Sequence, residues 1–302
     1  MDIVGLIKMN NERFAYKFDK EQWKYTKIDT FKDFNFNFSP TSNNKSYNTD
    51  NCNILIKNGS LIFSKLSQNV KITPLNEAVN NNLFNIKQFF NQITPIDNKF
   101  IKLNKKYYNN GIFIYIKDNI NLKNTIILKH IVDENLNNSF LNDRIFILVD
   151  KNVSAKLIIE EKISKKCNLN TVHELFIDDN SNIDLIHYTE KPLTTQIYNF
   201  SSLIKNNSCL NIFPIDISGK LIKKNYFINL NQPNSTCNFN SLNFLNDKNH
   251  IDNFIQINHA INHTYSSTNL KNILSGKSKS IFYAKAIIEK NGFSSEAKQK
   301  NN

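Results

Sequence analysis

The sequence predicts a mainly β architecture, a β-helix or a closely related stacked-β solenoid, with a helical N-terminal region. From about residue 111, short runs of Ile, Leu, Val and Phe alternate with polar turns, as strands do. The turn residues recur at one nearly constant step, or at twice that step, and the step is longer than the ~8–12 residues typical of an antiparallel sandwich. When the number of residues between turns is either one value or twice that value, each coil is expected to consist of two half-turns. Such a coil buries its inward residues by stacking on neighbouring coils.

The first part of the chain, residues 1–97, is predicted to be helical or irregular. Its clearest pattern lies in the segment 75–93, where apolar residues follow a helical period: Leu75, Val79, Leu83, Phe84, Ile86, Phe89 and Phe90. The single Trp, Trp23, lies earlier, in the polar stretch EQWKYTKID (21–29). We expect it to be a packing anchor with a buried ring and a hydrogen-bonded N–H.

Residues 98–302 form the predicted β-helix core. Strands are expected in the runs GIFIYI, TIILKHIV, RIFILV, AKLIIEE, VHELFI and IDLIHY. Turns are expected at eight polar positions: Asn152, Asn180, Asn207, Lys220, Asn234, Asn249, Lys277 and Gly292.

The charge balance is strongly basic, with a formal net charge of +12. Only two of the 38 basic residues are arginines, Arg13 and Arg144, so the side chain that reads guanine edges is nearly absent. The lysines recur singly beside polar turns, which predicts a solvated surface, and the acids also fall mostly in turns. No specific nucleic-acid partner is therefore expected.

Four cysteines, Cys52, Cys167, Cys209 and Cys237, form no CxxC pair and no zinc-like pattern with histidine. Such sparse thiols fit a reducing compartment. The N-terminus lacks the apolar core of a signal peptide, and no apolar run approaches the ~18 residues of a membrane span. These patterns predict a soluble, cytoplasmic protein without a membrane partner.

The sequence SGKS (275–278) resembles the end of a phosphate-binding loop. The full pattern needs a second Gly at position 271, which is Lys271, and a helix afterwards. The following residues, KSIFYAKAII, predict a strand, so we expect SGKS to be a turn.

The histidines carry no clear catalytic pattern. His259 and His263 are four residues apart, but their segment lacks a helical stripe and a nearby acid, so structural or exposed roles are expected. His173 and His187 alternate with apolar neighbours and are expected to face outward or to occupy satisfied core positions.

Cys209 and Cys237 are separated by one predicted coil and could stack on each other. Such a pair could handle sulfur or metal, but two small apolar side chains in equivalent inward slots is the favoured interpretation. No catalytic residue emerges from spacing alone.

Three collinear blocks resemble the SufB/SufD family of SUF iron–sulfur cluster assembly scaffolds, and the first block favours its SufD branch. The blocks are EQWKYTKIDTF (21–31), FIKLNKKYYNNGIFIYIKDNINLKNTIILKHI (100–131) and the C-terminal stretch from Asp252. The last block matches the family pattern at Asp252, His259, Ser266, Lys271, Phe282, Glu296, Ala297, Gln299 and Asn301.

The resemblance implies a right-handed parallel β-helix flanked by helical domains. It also implies a non-enzymatic scaffold subunit that pairs with SufB and binds the ATPase SufC. The nascent iron–sulfur cluster would belong to the parent complex, and this chain would hold no cofactor stably. Whether Cys209, Cys237, His259 or His263 touch sulfur or iron stays open, as do the cofactor-binding and metal-binding residues.

The sequence departs from the family pattern at Ala284, where the family has Gly, and at Glu296, where it has Asp. The family also continues beyond the position of Asn302, with more of the β-helix and a C-terminal helical domain that docks SufC. We therefore expect a truncated chain, either a fragment or frameshift product, or the product of a decaying gene. The alternatives are a degenerate β-helix with impaired assembly, a carbohydrate-active β-helix enzyme, and a nonspecific nucleic-acid binder.

Overall fold

The computed structural model describes residues 26, 35–36, 49–95, 98–108, 110–132, 139–163 and 166–301. The strands are β1 (Asn35–Phe36), β2 (Ile54–Lys57), β3 (Ser60–Ser64), β4 (Val70–Pro74), β5 (Asn110–Ile116), β6 (Ile120–Asn121), β7 (Ile126–Ile131), β8 (Ser139–Val149), β9 (Val153–Lys162), β10 (Asn168–Ile177), β11 (Asn182–Ile204), β12 (Cys209–Leu230), β13 (Thr236–Leu245), β14 (His250–His259), β15 (Tyr265–Leu274), β16 (Lys279–Ile288) and β17 (Glu296–Asn301). The helices are α1 (Leu75–Asn80), a 3₁₀ helix (Leu83–Gln88) and α2 (Lys99–Tyr107).

The strands wind into a parallel β-solenoid with two faces. Sheet A contains β5, β8, β10, the second half of β11, the second half of β12, β14 and β16, each parallel to the next. Sheet B contains β2, β7, β9, the first halves of β11 and β12, β13, β15 and β17, also parallel. Each strand of one sheet serves as the crossover that parallel neighbours in the other sheet require. The predicted parallel β-helix is confirmed.

The first corner of the coils is a ladder of asparagines. Asn119, Asn152, Asn180, Asn207 and Asn234 have φ between 53° and 58°, in the left-handed region that Asn tolerates better than most residues. Each side chain after the first donates from Nδ2 to Oδ1 of the preceding one, at 2.8, 3.2, 3.1 and 3.0 Å. Four predicted turns are therefore confirmed, and they form one column.

The second corner contains the turns predicted at Asn249 and Lys277. The Lys277 N–H donates to the carbonyl of Asp247 at 2.6 Å, which joins two successive turns of this column. SGKS is a turn, as predicted, with Gly276 at φ 64°, and β16 follows it directly. Lys220 belongs to the same corner but lies within β12, where the strand passes from sheet B to sheet A without a separate turn. Turns of the first and second corners alternate along the chain. When a turn of one corner is not recognised in the sequence, the step between successive predicted turns therefore doubles.

The interior between the sheets is mostly a stack of aliphatic side chains. One column contains Ile183, Leu210 and Cys237, which are in register on successive coils and fully buried. Stacking of equivalent positions removes these apolar groups from water in every coil, which is the main stabilising contribution in a solenoid.

The N-terminal part differs from its prediction, because residues 54–74 form three strands as well as connecting turns. β2 and β3 are an antiparallel hairpin, and β2 also pairs in parallel with β7. The hairpin turns at Asn58-Gly59, with φ of 51° and 80°, a dipeptide typical of two-residue hairpins. These strands are too short to show a clear period in the sequence, which is why the helical or irregular assignment missed them. The domain boundary after residue 97 stays a prediction.

The helix predicted over 75–93 is present only in part. α1 ends at Asn80, and the 3₁₀ helix that follows contains Phe84 and Asn85 in the left-handed region, with φ of 49° and 57°. Together these elements cover the outer face of sheet A near β5, β8 and β10. No helix in the described ranges has the length and apolar character that a membrane crossing needs.

A buried ion pair on sheet A connects the sheet to the helical segment on its outer face. Arg144 on β8 donates from Nη2 to Glu174 Oε2 at 2.6 Å and to Asn91 Oδ1 at 2.7 Å, with both charged groups fully buried. Its guanidinium lies 4.6 Å from the ring centroid of Phe90. Asn104 of α2 also accepts from Arg144 Nη1, at 3.3 Å. One of the two arginines is therefore structural.

Candidate functional site: a polar column inside the solenoid

One inward column of sheet B is polar where a solenoid interior is usually apolar. Its members are in register on successive coils and, except for the last, are buried: His130, Glu161, Thr189, Asp216, Asn243 and Asn272. A second column of sheet A lies in register along the same coils and contributes Asp143, Thr171, Tyr198, Lys224 and Asn253. Direct contacts between the two columns form a continuous polar layer through the core.

Glu161 is the centre of this layer. Its Oε1 lies 3.1 Å from His130 Nδ1, and its Oε2 lies 2.9 Å from His187 Nε2 and accepts from Lys191 Nζ. Lys191 Nζ also donates to Gln196 Oε1 at 2.8 Å. The side chains of Glu161, its three partners and Gln196 therefore form one connected set of contacts with almost no solvent exposure. A buried charge is stable only with such partners.

The surroundings of Glu161 set its protonation. Burial alone would raise its pKa, but Lys191 and the hydrogen bonds with His130 and His187 hold the pKa of Glu161 well below its ordinary 4.5. The carboxylate is consequently ionised at neutral pH, so the layer contains a fixed negative charge next to the ammonium of Lys191.

His130 is a buried histidine of this layer, and its surroundings raise its pKa. Burial lowers its pKa, but the carboxylates of Asp143 and Glu161 outweigh burial, and the pKa of His130 is raised above 6.5. Its Nε2 lies 3.4 Å from Asp143 Oδ2. Burial raises the pKa of Asp143, against the opposing effect of His130. The two carboxylates thus favour the charged imidazolium of His130, while burial favours the neutral form of Asp143.

A second ion pair continues the layer toward the C-terminus. Lys224 Nζ lies 2.5 Å from Asp216 Oδ1 and 3.2 Å from Thr189 Oγ1, and all three side chains are fully buried. The same ammonium lies 5.7 Å from the ring centroid of Tyr198. The two buried lysines of this layer thus each have an acid of their own.

The histidines predicted to face outward or to occupy core positions are core residues. His173 Nδ1 lies 3.1 Å from the Tyr198 hydroxyl, and His173 and His187 are almost completely buried. Burial, with His187 nearby, lowers the pKa of His173 well below 6.5, and burial with Lys224 lowers that of His187. Both imidazoles are therefore neutral at pH 7.

His259 and His263 lie in different elements and make different contacts. His259 ends β14, is buried, and contacts Thr264 Oγ1 at 2.7 Å through Nδ1 and Ser266 Oγ at 2.9 Å through Nε2. His263 lies in a turn with φ 54°, where its carbonyl accepts from the N–H of Asn234. His259 is buried with two hydrogen-bonding partners, which agrees with the first of the two roles expected for it, structural or exposed, and its partner Ser266 belongs to the same sequence block.

The predicted stacking of Cys209 on Cys237 is wrong. The local coil is one residue shorter than predicted, so Cys209 is in register with Thr236, while Cys237 is in register with Leu210. A one-residue offset places two side chains on opposite faces of a strand. Cys237 is buried in the apolar interior, whereas Cys209 is half-buried and lies 3.9 Å from Asn238 Nδ2.

None of the described thiols lies in a ligand cluster. In the described ranges, no group of three or more His, Cys, Asp or Glu side chains is arranged to hold a metal ion. Burial raises the pKa of Cys167 to about 11 and raises that of Cys237 as well. Buried thiols of high pKa are poor nucleophiles and poor ligands until they are exposed.

The expectation that lysines and acids lie mainly on a solvated surface or in turns is wrong for a set of strand residues. Four lysines and five acids within strands are buried: Lys57, Lys191, Lys223, Lys224, Asp143, Glu161, Glu174, Asp216 and Asp252. A signal for the sheet B column exists in the sequence, since polar residues interrupt apolar alternation at positions 130, 161, 189, 216 and 243. The steps between these positions are 31, 28, 27 and 27 residues, but the sequence alone does not show that these residues share one register.

A third buried contact joins two of the blocks that carry the family resemblance. Thr26, from the segment WKYT, is buried and donates from Oγ1 to Asp252 Oδ2. Lys223 Nζ lies 2.7 Å from Asp252 Oδ1. Trp23 lies outside the described residues, so its predicted anchoring role stays a prediction.

The parallel solenoid, with a polar layer buried in its interior, defines this chain as a β-helix protein. The family described as "SUF system FeS cluster assembly, SufBD core domain" matches residues 131–302, more than half of the chain. The chain belongs to this family, and its involvement in SUF iron–sulfur cluster assembly follows. No curated protein matches the chain. The WKYT block lies outside the matched range.

Proposed function

We propose that this protein is a SufD-like scaffold subunit that pairs with a SufB-like paralogue and works with a SufC-like ATPase, without catalysing a reaction itself. The observation that carries the proposal is the family match over residues 131–302, which coincides with the solenoid from the end of β7 to β17. The nascent iron–sulfur cluster is the cargo of the whole complex, and this chain contributes a rigid surface.

Two local observations support a scaffold role. SGKS is a turn before a strand, so it lacks the helix N-terminus that a phosphate-binding loop needs. The polar layer is almost closed to solvent, because Glu161, Lys191, Asp216 and Lys224 are all fully buried. We therefore assign ATP hydrolysis to the partner and a structural role to these ion pairs.

The SufD branch is supported by the N-terminal block. WKYT is the segment that favours SufD over SufB, and its Thr26 contacts Asp252 in the C-terminal block. This hydrogen bond joins the two blocks that carry the resemblance. The choice between the branches rests on this segment.

The test is co-expression of residues 1–302 with the SufB and SufC proteins of the same genome, followed by size-exclusion chromatography. We expect the three chains to elute together. If this chain elutes alone as a folded species, shown by its circular dichroism spectrum, while SufB and SufC associate, the proposed pairing is wrong. Complementation of a strain lacking its SufD then separates a working subunit from a degenerate β-helix that binds but does not support assembly.

A further inference from the structure

Exposed apolar side chains form a row on the outer side of sheet B, where its strands reach the second corner. Leu193, Phe244 and Ile273 are 52%, 49% and 55% exposed. Phe244 on β13 is in register with Ile273 on β15, and Ile217 on β12 occupies the equivalent position one coil before Phe244. Leu193 and Ile217 line one cavity of about 460 Å³ at this corner. This apolar row therefore spans four successive coils.

A row of lysines runs beside the apolar row. It consists of Lys220, Lys248 and Lys277, which are exposed and lie in the second corner of three successive coils. Each lysine follows the apolar-row residue of its own coil by three or four positions. Lys248 and Lys277 are at equivalent positions, because the strands before and after them are in register with the same offset. Every one of these coils therefore presents an apolar side chain and an ammonium side by side.

The charge of the lysine row is not neutralised by the chain itself. Within the part of the chain that the structure describes, no carboxylate oxygen lies within 4.0 Å of these three ammonium groups. Like charges on neighbouring rungs destabilise one another. Two acids line the same cavity, Glu190, which accepts from the Tyr188 hydroxyl at 3.1 Å, and the exposed Asp247. Three lysines against two acids leave the corner positive, on a chain of net charge +12, so an acidic partner is attracted.

We propose that the apolar row and the lysine row together bind an acidic amphipathic helix of a partner protein. Such a helix has an apolar stripe with Glu or Asp beside it. Its turns are about 5.4 Å apart and the coils are about 4.8 Å apart, so across three coils the two repeats drift by little more than 1 Å. The stripe contacts the apolar row, its acids contact the lysines, and one large apolar side chain enters the cavity beside Leu193 as an anchor. This inference is independent of the SufB pairing proposed above.

The mixed charge of the corner favours a protein helix over an anionic membrane or a second copy of the chain. Anionic lipid headgroups would repel Glu190 and Asp247, whereas a helix can place a basic side chain opposite each acid. A second copy would bring the same lysines and the same net charge of +12 to the interface, and the two would repel each other. An acidic helix from another protein is the occupant that satisfies both rows.

The probe is a fluorescein-labelled helical peptide of about 18 residues, with leucines at i, i+3, i+4 and i+7 and glutamates beside them. It is titrated with the full chain while fluorescence anisotropy is followed. We expect a dissociation constant about tenfold lower than for a peptide of the same composition in scrambled order. Phe244→Ala should weaken binding about tenfold and Lys248→Glu about fivefold. Ile62→Ala, 44% exposed on β3, and Lys117→Glu, exposed at the first corner, are the matched controls and should bind like the wild type.

Equal affinity for the scrambled peptide, or no binding up to about 1 mM peptide, overturns the helix site. Unchanged affinity in Phe244→Ala and Lys248→Glu overturns its location. Tighter binding to phosphatidylserine–phosphatidylcholine vesicles than to the peptide, lost in Lys248→Glu, overturns the protein partner in favour of a membrane. A dimer in sedimentation velocity that Phe244→Ala abolishes overturns it in favour of a second copy. If the circular dichroism spectrum shows that Phe244→Ala does not fold, the affinity of Ile273→Ser decides.

Discussion

The buried ion pair of Lys191 and Glu161 allows a sharp test of the polar layer. Lys191→Met keeps most of the aliphatic volume but removes the ammonium, which contacts Glu161 and donates to Gln196 at 2.8 Å. Glu161 then remains buried with only the two histidines as partners. Loss of one partner of a fully buried pair costs about 3–5 kcal/mol. We expect that loss in the free energy of unfolding at pH 7.5.

The pH dependence of this loss follows from the pKa of Glu161. In the wild type the lowered pKa of Glu161 contributes stability above pH 4.5 that is lost only as the pH falls through the folded-state value. In Lys191→Met burial dominates and raises the pKa of Glu161 above 4.5, so the folded state takes up the proton at higher pH. The deficit should therefore shrink as the pH falls from 7.5 toward 5.

The assay is urea unfolding followed by far-UV circular dichroism at pH 5, 6 and 7.5. The control is Lys156→Met, whose half-exposed ammonium lies 3.9 Å from Asp184; we expect it to change stability by less than about 0.5 kcal/mol. A Lys191→Met deficit below about 1 kcal/mol, or one that is independent of pH, would refute the view that Glu161 is held ionised by Lys191.

Three further predictions concern the ladder, the core histidines and the thiols. Asn180→Ala, at φ 58°, should cost about 1–2 kcal/mol in thermal unfolding, and Asn180→Gly should cost less because Gly accepts that φ; equal losses would contradict the backbone explanation. Because the pKa of His173 is lowered, the free energy of unfolding should fall as the pH drops from 7 to 5. His173→Gln should reduce the slope of the free energy of unfolding against pH by up to about 1.4 kcal/mol per pH unit. An unchanged slope counts against a neutral buried His173. Cys167 and Cys237 should resist iodoacetamide at pH 8 while the partly exposed Cys52 reacts, and mass spectrometry showing equal modification of all three would disprove their burial.

The coil and its turns could be predicted because their signal is local. Asn152, Asn180, Asn207 and Asn234 each lie in a short polar stretch between apolar runs, and Asn is favoured at a left-handed turn position. The strands between them follow from β-branched and aromatic runs. Both signals are read within a few residues, so an error at one turn does not spread to the next.

The polar layer could not be predicted in the same way, because it depends on register between coils. The polar residues of each column, such as Glu161 and Asp216, lie singly within largely apolar runs, and only the stacking of coils shows that they meet. The cysteine error has the same origin. A coil that is one residue shorter than predicted moves Cys209 from the inside to the outside.

The contact of Thr26 with Asp252 joins two distant parts of the chain that resemble one family. Asp252 lies on the outer face of sheet A and is 2% exposed, so each of its carboxylate oxygens needs a donor there. Lys223 provides one and Thr26, far away in sequence, provides another. A change at either end would leave a buried charge partly unsatisfied, which costs more than a surface contact is worth. Thr26 is thus part of the solenoid's own hydrogen bonding, and its loss would leave one oxygen of the buried Asp252 carboxylate without its donor.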